Sequence, residues 1–342
     1  MCKHCQRAAL VGATMLSILA AAPAGKPANK FGLTEPLPRT SGAIRLAAYN
    51  TLNLFDHVDD PSLRGEHDDL KAATAPERCA ELARAIKAID ADIISLEEVE
   101  SLDALKWFRD TYLADAGYTH LASIDVGYYR GVECSVMSRF KITEARVWAD
   151  ESLDDVKRTG TGWAAVPPDQ RRGLKFQRSP LMVEVEVTPD YQLTIFTVHH
   201  KAGSEFKFHR ESEALQIVEY LDAIRRRDPE RNVVVMGDFN AAPFDKSLRL
   251  YLEAGMIDTL AHRTIWKDDP DAPLYKTHES DRVLDYILLN SAAHRELVIG
   301  SAFVYGTLYP GDSHDFTRDP HPPGYASDHY PVVVDLTPKD AR

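Results

Sequence analysis

Cysteine is scarce in this chain, with 4 in 342 residues. Two of these, Cys2 and Cys5, lie at the extreme N-terminus, leaving Cys79 and Cys134 in the body. Two cysteines cannot form a disulfide framework, so two buried thiols are expected rather than a bridge. No Cys/His cluster has zinc-site spacing, and the paired-histidine helix pattern of zinc proteases is missing. Positive charge is in short supply too: 40 Lys and Arg against 52 Asp and Glu, a net of −12. An acidic chain repels phosphate unless local groups or metals reverse the field, which excludes a binder that grips nucleic acid through a broad basic surface. Beyond the N-terminus, no run is long and charge-free enough to cross a bilayer. A chain with 44% hydrophobic residues, 18 Gly and 20 Pro is neither disordered nor fibrous.

The N-terminus is a separate unit. Lys3 and Arg7 give a basic start, Ala8 to Ala22 is a short apolar run, and Ala22-Pro23-Ala24 offers small residues where a signal peptidase reads. Residues 1–24 are therefore expected to be a cleaved signal peptide, placing the protein outside the cytoplasm, secreted or periplasmic. Loss of Lys3 and Arg7 leaves 38 basic against 52 acidic residues, a net of −14. Residues 25–41 are Pro-rich and polar and read as a linker. No repeat or composition break follows, so 42–342 is expected to be one large domain rather than two.

Strand and helix signals alternate through that domain. Apolar runs at 44–49, 92–96, 135–138, 181–187, 193–198, 232–236, 283–289 and 330–336 read as strands. Thr74-Ala75-Pro76-Glu77 has a capping-box pattern ahead of Cys79, Leu82, Ala83, Ile86 and Ile89 at helical spacing, and a second helix is expected over about 210–226. Three long polar segments, about 55–75, 149–178 and 305–327, are expected to be loops that shape a site.

The unusual polar residues fall at the ends of the apolar runs. The first strand ends in Asn50, and the second runs into Glu97-Glu98. Leu193–Val198 leads into His199-His200-Lys201, and Val233–Met236 into Gly237-Asp238-Phe239-Asn240. Asp285 lies within the penultimate strand, and Ser327-Asp328-His329 immediately precedes the last. Side chains at strand ends can converge on one rim of a sheet, held by a rigid scaffold. Oxygen ligands from Glu98, Asp328 and Asn50 suit a hard cation such as Mg²⁺ or Mn²⁺. His329 suits a general base if a carboxylate such as Asp285 orients its other ring nitrogen. A metal, a base and polar donors together are what in-line attack of water on phosphorus requires.

At these residues the chain resembles the endonuclease/exonuclease/phosphatase superfamily, the fold of pancreatic-type deoxyribonuclease, exonuclease III and bacterial sphingomyelinases. The likeness runs in order from about Ile44 to Leu336, strongest at Gly237-Asp238-Phe239-Asn240 and next at Ser327-Asp328-His329. It implies an α/β (α+β) four-layer sandwich, two packed mixed β-sheets flanked by helices, with the site at the top edge. By the resemblance, Asn50, Glu98 and Asp328 hold the metal, Mg²⁺ with Mn²⁺ or Ca²⁺ as substitutes. His329 is the catalytic His and Asp285 its orienting carboxylate. Asp238 and Asn240 position water and phosphate, and His199 contacts the scissile phosphate. Arg130 and His278 are candidate substrate contacts. Two positions depart from the family: Glu97 stands where many members have Gln, which would add an acid near the metal, and Val198 replaces an Asn beside the His.

Taken singly, an acid-His pair or a Gly-Asp turn is ordinary loop chemistry; the conjunction in one order outweighs that reading. The acids Asp56, Asp59, Asp60, Glu66, Asp68 and Asp69 are expected to be a solvated loop rather than a second metal site. Trp107, Trp148, Trp163 and Trp266 are expected to pack, with Trp163, which sits in a long loop, also a candidate to touch substrate. The expected function is a secreted, divalent-metal-dependent phosphoesterase, monomeric, with nucleic acid its leading partner and no stable membrane insertion. Lipid head groups or small phosphate esters are the alternative substrates, and a non-catalytic binding module is the alternative class.

Overall fold

The structure is a computed structural model that describes residues 29–156, 166–260, 269–316 and 318–340. The expected signal peptide, Trp163 and Trp266 lie outside the described residues. Two six-stranded sheets pack face to face. In the first the order is β11-β12-β1-β2-β4-β3, in the second β5-β6-β7-β8-β10-β9. The first sheet comprises β1 (Ile44–Leu54), β2 (Ile93–Val99), β3 (His120–Ser123), β4 (Glu133–Ser138), β11 (Phe303–Val304) and β12 (Val332–Leu336). The second comprises β5 (Lys141–Arg146), β6 (Leu181–Thr188), β7 (Tyr191–His199), β8 (Asn232–Asp238), β9 (Ile257–Asp258) and β10 (Asp285–Leu289). Each sheet is mixed, with a parallel pair at its centre, β1 with β2 and β7 with β8.

Period-two alternation builds the layers. Leu46 and Ala48 of β1, and Val234 and Met236 of β8, point into the core between the sheets. Ala47 and Tyr49 turn the other way, onto a helical layer where Cys79, Leu82 and Ile86 of α2 (Pro76–Ile89) meet Leu105 and Phe108 of α3 (Leu102–Tyr112). Val233 and Val235 likewise meet Ala214, Ile217 and Leu221 of α4 (Lys207–Arg227) and Leu248 and Tyr251 of α5 (Lys246–Glu253). The four-layer sandwich expected from the sequence is the observed fold. Cys79 and Cys134 are buried and unbridged.

Several local expectations shift. Helix α2 starts at Pro76 with Ala75 as its cap residue, and Thr74 does not cap it. The Thr74 hydroxyl instead accepts the Phe55 N–H at 2.9 Å and donates to the Asn53 carbonyl at 3.1 Å, tying the end of β1 to the helix. Part of the Pro-rich stretch is docked: Phe31 is buried, and Leu33 exchanges backbone hydrogen bonds with Val304 and Gly306 at 2.8 Å each. The acidic loop after β1 is only partly solvated. Asp59 and Asp60 are exposed, but Asp56 and Asp69 are buried, their carboxylates accepting the N–H groups of Val58 and Asp60 at 2.6 and 2.7 Å. Trp148 packs as expected, stacked on Tyr220 with ring centroids 4.5 Å apart.

Candidate active site

Strand β1, the C-terminal ends of β2, β7 and β8, and the segments leading into β4, β10 and β12 deliver the predicted side chains to one cleft. Asn50, Glu98, Arg130, His199, Asp238, Asn240, His278, Asp328 and His329 all line a cavity of about 470 Å³. Asp285 lies directly behind it, bonded to His329. Every residue expected at the site is brought to it.

Backbone constraint accompanies the convergence. Glu98 (φ 63°) and Asn240 (φ 47°) both adopt the left-handed region that non-glycine residues rarely occupy. Such residues cost about 1–3 kcal/mol each and persist where the surroundings impose them. Gly237 explains the glycine of its motif. At φ 130°, a Cβ there would lie 2.2 Å from the Val198 carbonyl oxygen and 2.7 Å from Glu97 Oε1. Only glycine lets β8 approach β7 closely enough to present Asp238 beside His199.

Asp238 is the hub. Its Oδ2 accepts from Asn240 Nδ2 at 2.9 Å and Asn50 Nδ2 at 3.3 Å, and lies 3.3 Å from His199 Nε2. Burial works against its charge, yet His199 and His329 hold the Asp238 carboxyl below the usual range. Burial, reinforced by the Arg178 cation, lowers His199. Asn240 Nδ2 spends its second hydrogen on the His200 carbonyl at 3.1 Å, so this amide orients Asp238 and leaves no N–H free for phosphate.

The His329 ring is fixed by its acid. Nδ1 lies 3.0 and 2.9 Å from the two Asp285 oxygens, which places the proton on Nδ1 and leaves Nε2 facing the cleft. Burial opposes the imidazolium, but Asp285, Asp328 and Asp238 outweigh it and raise His329 well above its ordinary value. Burial pushes Asp285 up. Thr277 holds the start of β10 in place, its hydroxyl accepting the Leu284 and Asp285 N–H groups at 2.9 and 3.0 Å. His278 takes a defined tautomer: its Nδ1 accepts the Ser280 N–H at 2.9 Å, so the proton sits on Nε2, which points at Asp328 Oδ2 3.3 Å away. His278 is thus the partner of the C-terminal acid. Burial acts against the Asp328 carboxylate, but His329 and His278 keep it below the usual range.

The donor set fits a hard cation. Glu98 Oε2 is tied to the Asn53 N–H at 3.0 Å, while Oε1 lies 3.8 Å from His199 Nε2. Ligand atoms of His278, Asp328 and His329 lie within 4.8 Å of one another, as do those of Asp238, Asp285 and His329. Glu97 corrects an expectation. It lies beneath the cleft, not in it, fully buried with Ser95 Oγ donating to Oε1 at 2.6 Å, and burial lifts its carboxyl well above the usual range. It is not among the side chains that line the cleft.

Other residues in the cleft were not foreseen. Arg178 donates to the His199 and His200 carbonyls at 3.2 and 2.7 Å, and Arg210 to the Lys201 and Gly203 carbonyls at 2.8 and 2.6 Å. Both are buried. Arg282, Phe244 and Phe316 also line it. Cationic side chains before a strand were the available signal for Arg178; nothing in the pattern marks the phenylalanines.

The endonuclease/exonuclease/phosphatase family model matches residues 70–329, most of the chain. The chain belongs to the endonuclease/exonuclease/phosphatase family. It is accordingly a phosphoric ester hydrolase of a divalent-metal-dependent family. Solved structures share the fold at low identity. The human nocturnin catalytic domain with bound sulfate is 19% identical at a TM-score of 0.55, over 86% of this chain and 94% of that one. An endonuclease/exonuclease/phosphatase family protein from Bacteroides thetaiotaomicron is 16% identical (TM-score 0.52; 86% and 97% covered). A humanized D. rerio TDP2 is 14% identical (TM-score 0.52; 86% and 99% covered). No curated protein sequence matches the chain.

Proposed function

We propose that this member of the family is an exported nuclease that cleaves phosphodiester bonds by in-line attack of a water deprotonated at His329 Nε2. The observation that carries the reading is the His329–Asp285 pair, with Nδ1 held 2.9 Å from the acid and the other nitrogen turned into a cleft of carboxylates and arginines. Glu98, Asp328 and Asn50 would hold Mg²⁺, which when bound polarises a non-bridging phosphate oxygen and offsets the carboxylate charge. Asp285 keeps the imidazole in the tautomer that accepts a proton and stabilises the imidazolium that results. Asp238, held ionised, aligns the water, and Asn50 and Asn240 fix Asp238. The Arg178 guanidinium would stabilise charge growing on the phosphoryl oxygens, and His199 holds Asp238 from the other side. Cleft arginines bonded to neutral oxygens favour an anionic substrate, which supports nucleic acid as the partner.

The test is hydrolysis of plasmid DNA, RNA and bis-p-nitrophenyl phosphate by the purified protein with Mg²⁺, Mn²⁺ or EDTA. His329→Ala is expected to lower kcat about 10³-fold with normal unfolding behaviour. Near-normal turnover by that variant, or hydrolysis that persists in EDTA, refutes the mechanism. Export is checked by N-terminal sequencing of the mature protein, which is expected to begin at Gly25.

A further inference from the structure

Beside the catalytic cleft, and sharing Glu98, Arg130, Phe316 and Asp328 with it, runs a groove of about 1240 Å³. Its chemistry differs from that of the cleft. The walls include Leu52, Phe55, Ala75 and Pro322, with Glu77 and Glu81 of α2 on one side. Phe316 stands where the two spaces meet, its ring edge-on to His278 with centroids 5.0 Å apart. Across the site, Phe244 lines the cleft from the loop after β8 and is 72% exposed. Two aromatic side chains thus flank the phosphate site, one from each sheet's loops, with Arg130, Arg178 and Arg282 close by.

Resting on the nuclease reading, we propose that the cleft takes nucleic acid as an unpaired strand. One base of the scissile step lies against Phe316 in the apolar groove, and the other lies against Phe244. Aromatic side chains bind bases by their faces whatever the sequence, and arginines beside them track the backbone. In a duplex those faces are already stacked on neighbouring pairs and are out of reach. Glu77 and Glu81 on the groove wall also repel the phosphates of any second strand that approaches it. Charge and shape therefore select the same substrate state.

The experiment measures kcat/KM with Mg²⁺ on a 20-mer as a single strand and as a duplex, alongside bis-p-nitrophenyl phosphate. The single strand is expected to be cleaved at least tenfold more efficiently. Phe244→Ala and Phe316→Ala are each expected to raise KM for the single strand about tenfold, with the loss in KM rather than kcat. Ile299→Ala, which changes an exposed side chain outside the cleft, is the control and should match the parent enzyme. Equal efficiency on the duplex, or KM unmoved in both phenylalanine variants, overturns the proposal while leaving the nuclease reading intact. Hydrolysis of bis-p-nitrophenyl phosphate with neither nucleic acid cut overturns the nuclease reading, and this proposal falls with it.

Discussion

Arginines in the cleft and arginines on the far side of the molecule are held in opposite ways. Arg45, 2% exposed, gives Asp335 two hydrogen bonds at 2.7 and 3.1 Å. Arg139 spans Asp90 and Asp92 at 2.6 and 3.1 Å. In the cleft, Arg178 and Arg210 are anchored on carbonyls, Arg130 on the Asn53 amide oxygen at 2.8 Å and Arg282 on Ser280 Oγ at 2.7 Å. None of these four hydrogen-bonds a carboxylate among the described residues. Neutral oxygens fix a guanidinium in place without cancelling its charge, whereas a carboxylate does both. The far-side pairs serve the fold, and the cleft arginines keep a field that an anion can meet. Net charge of −12 therefore says little about the cleft itself.

The largest effect should come from breaking a far-side pair. Arg45→Met leaves Asp335 buried and unpaired and is expected to cost about 3 kcal/mol in denaturant unfolding, with kcat/KM unchanged. Activity lost without stability would erase the distinction. Glu213 is the acid counterpart of the cleft arginines, anchored by the Gln177 and Lys201 N–H groups at 2.9 Å each and beside His200. Burial would raise it, but His200 and His209 bring it down to about 2 from an ordinary 4.5. A depressed native value stabilises the fold above the unfolded value, and the benefit is lost as pH falls from there through about 2. Glu213→Gln is expected to be less stable by roughly 3 kcal/mol at pH 7 and to show a flatter acid limb, followed by urea melts from pH 7 downward.

Arg178→Met should lower kcat/KM about 100-fold while costing about 1 kcal/mol of stability or less. A loss confined to stability would mean that this arginine only braces the His199–His200 backbone. The smallest effect is expected at the exposed Arg225–Asp222 pair, 2.8 Å apart on α4. Arg225→Ala should change stability by less than about 0.5 kcal/mol and leave activity alone.

The strands that carry the site were legible because alternation and burial act together in them; β1, β2, β7, β8 and β10 all lie under apolar runs. The sheet margins were not. Lys141–Arg146 forms an edge strand that is almost wholly exposed, so no hydrophobic pattern marks it, and β9 and β11 are two residues long. Helix α3 was missed although Ser101 caps it by accepting the Ala104 N–H at 3.0 Å. Candidate site residues at strand ends were readable for the same reason the strands were: the scaffold fixes their positions. Arg178, Phe244 and Phe316 come from connecting segments, whose path depends on contacts far away in sequence.

The cleft draws on segments from opposite ends of the fold's strand order. Strand β12 pairs antiparallel with β1, Ile44 opposite Leu336, and the turn before it supplies Asp328 and His329. Asp328 and His329 thus reach the cleft only when β12 has docked along β1. Under the proposed function, the hydrolytic centre therefore depends on a pairing between two segments far apart in sequence, and loosening that pairing should silence the chemistry before it unfolds the rest.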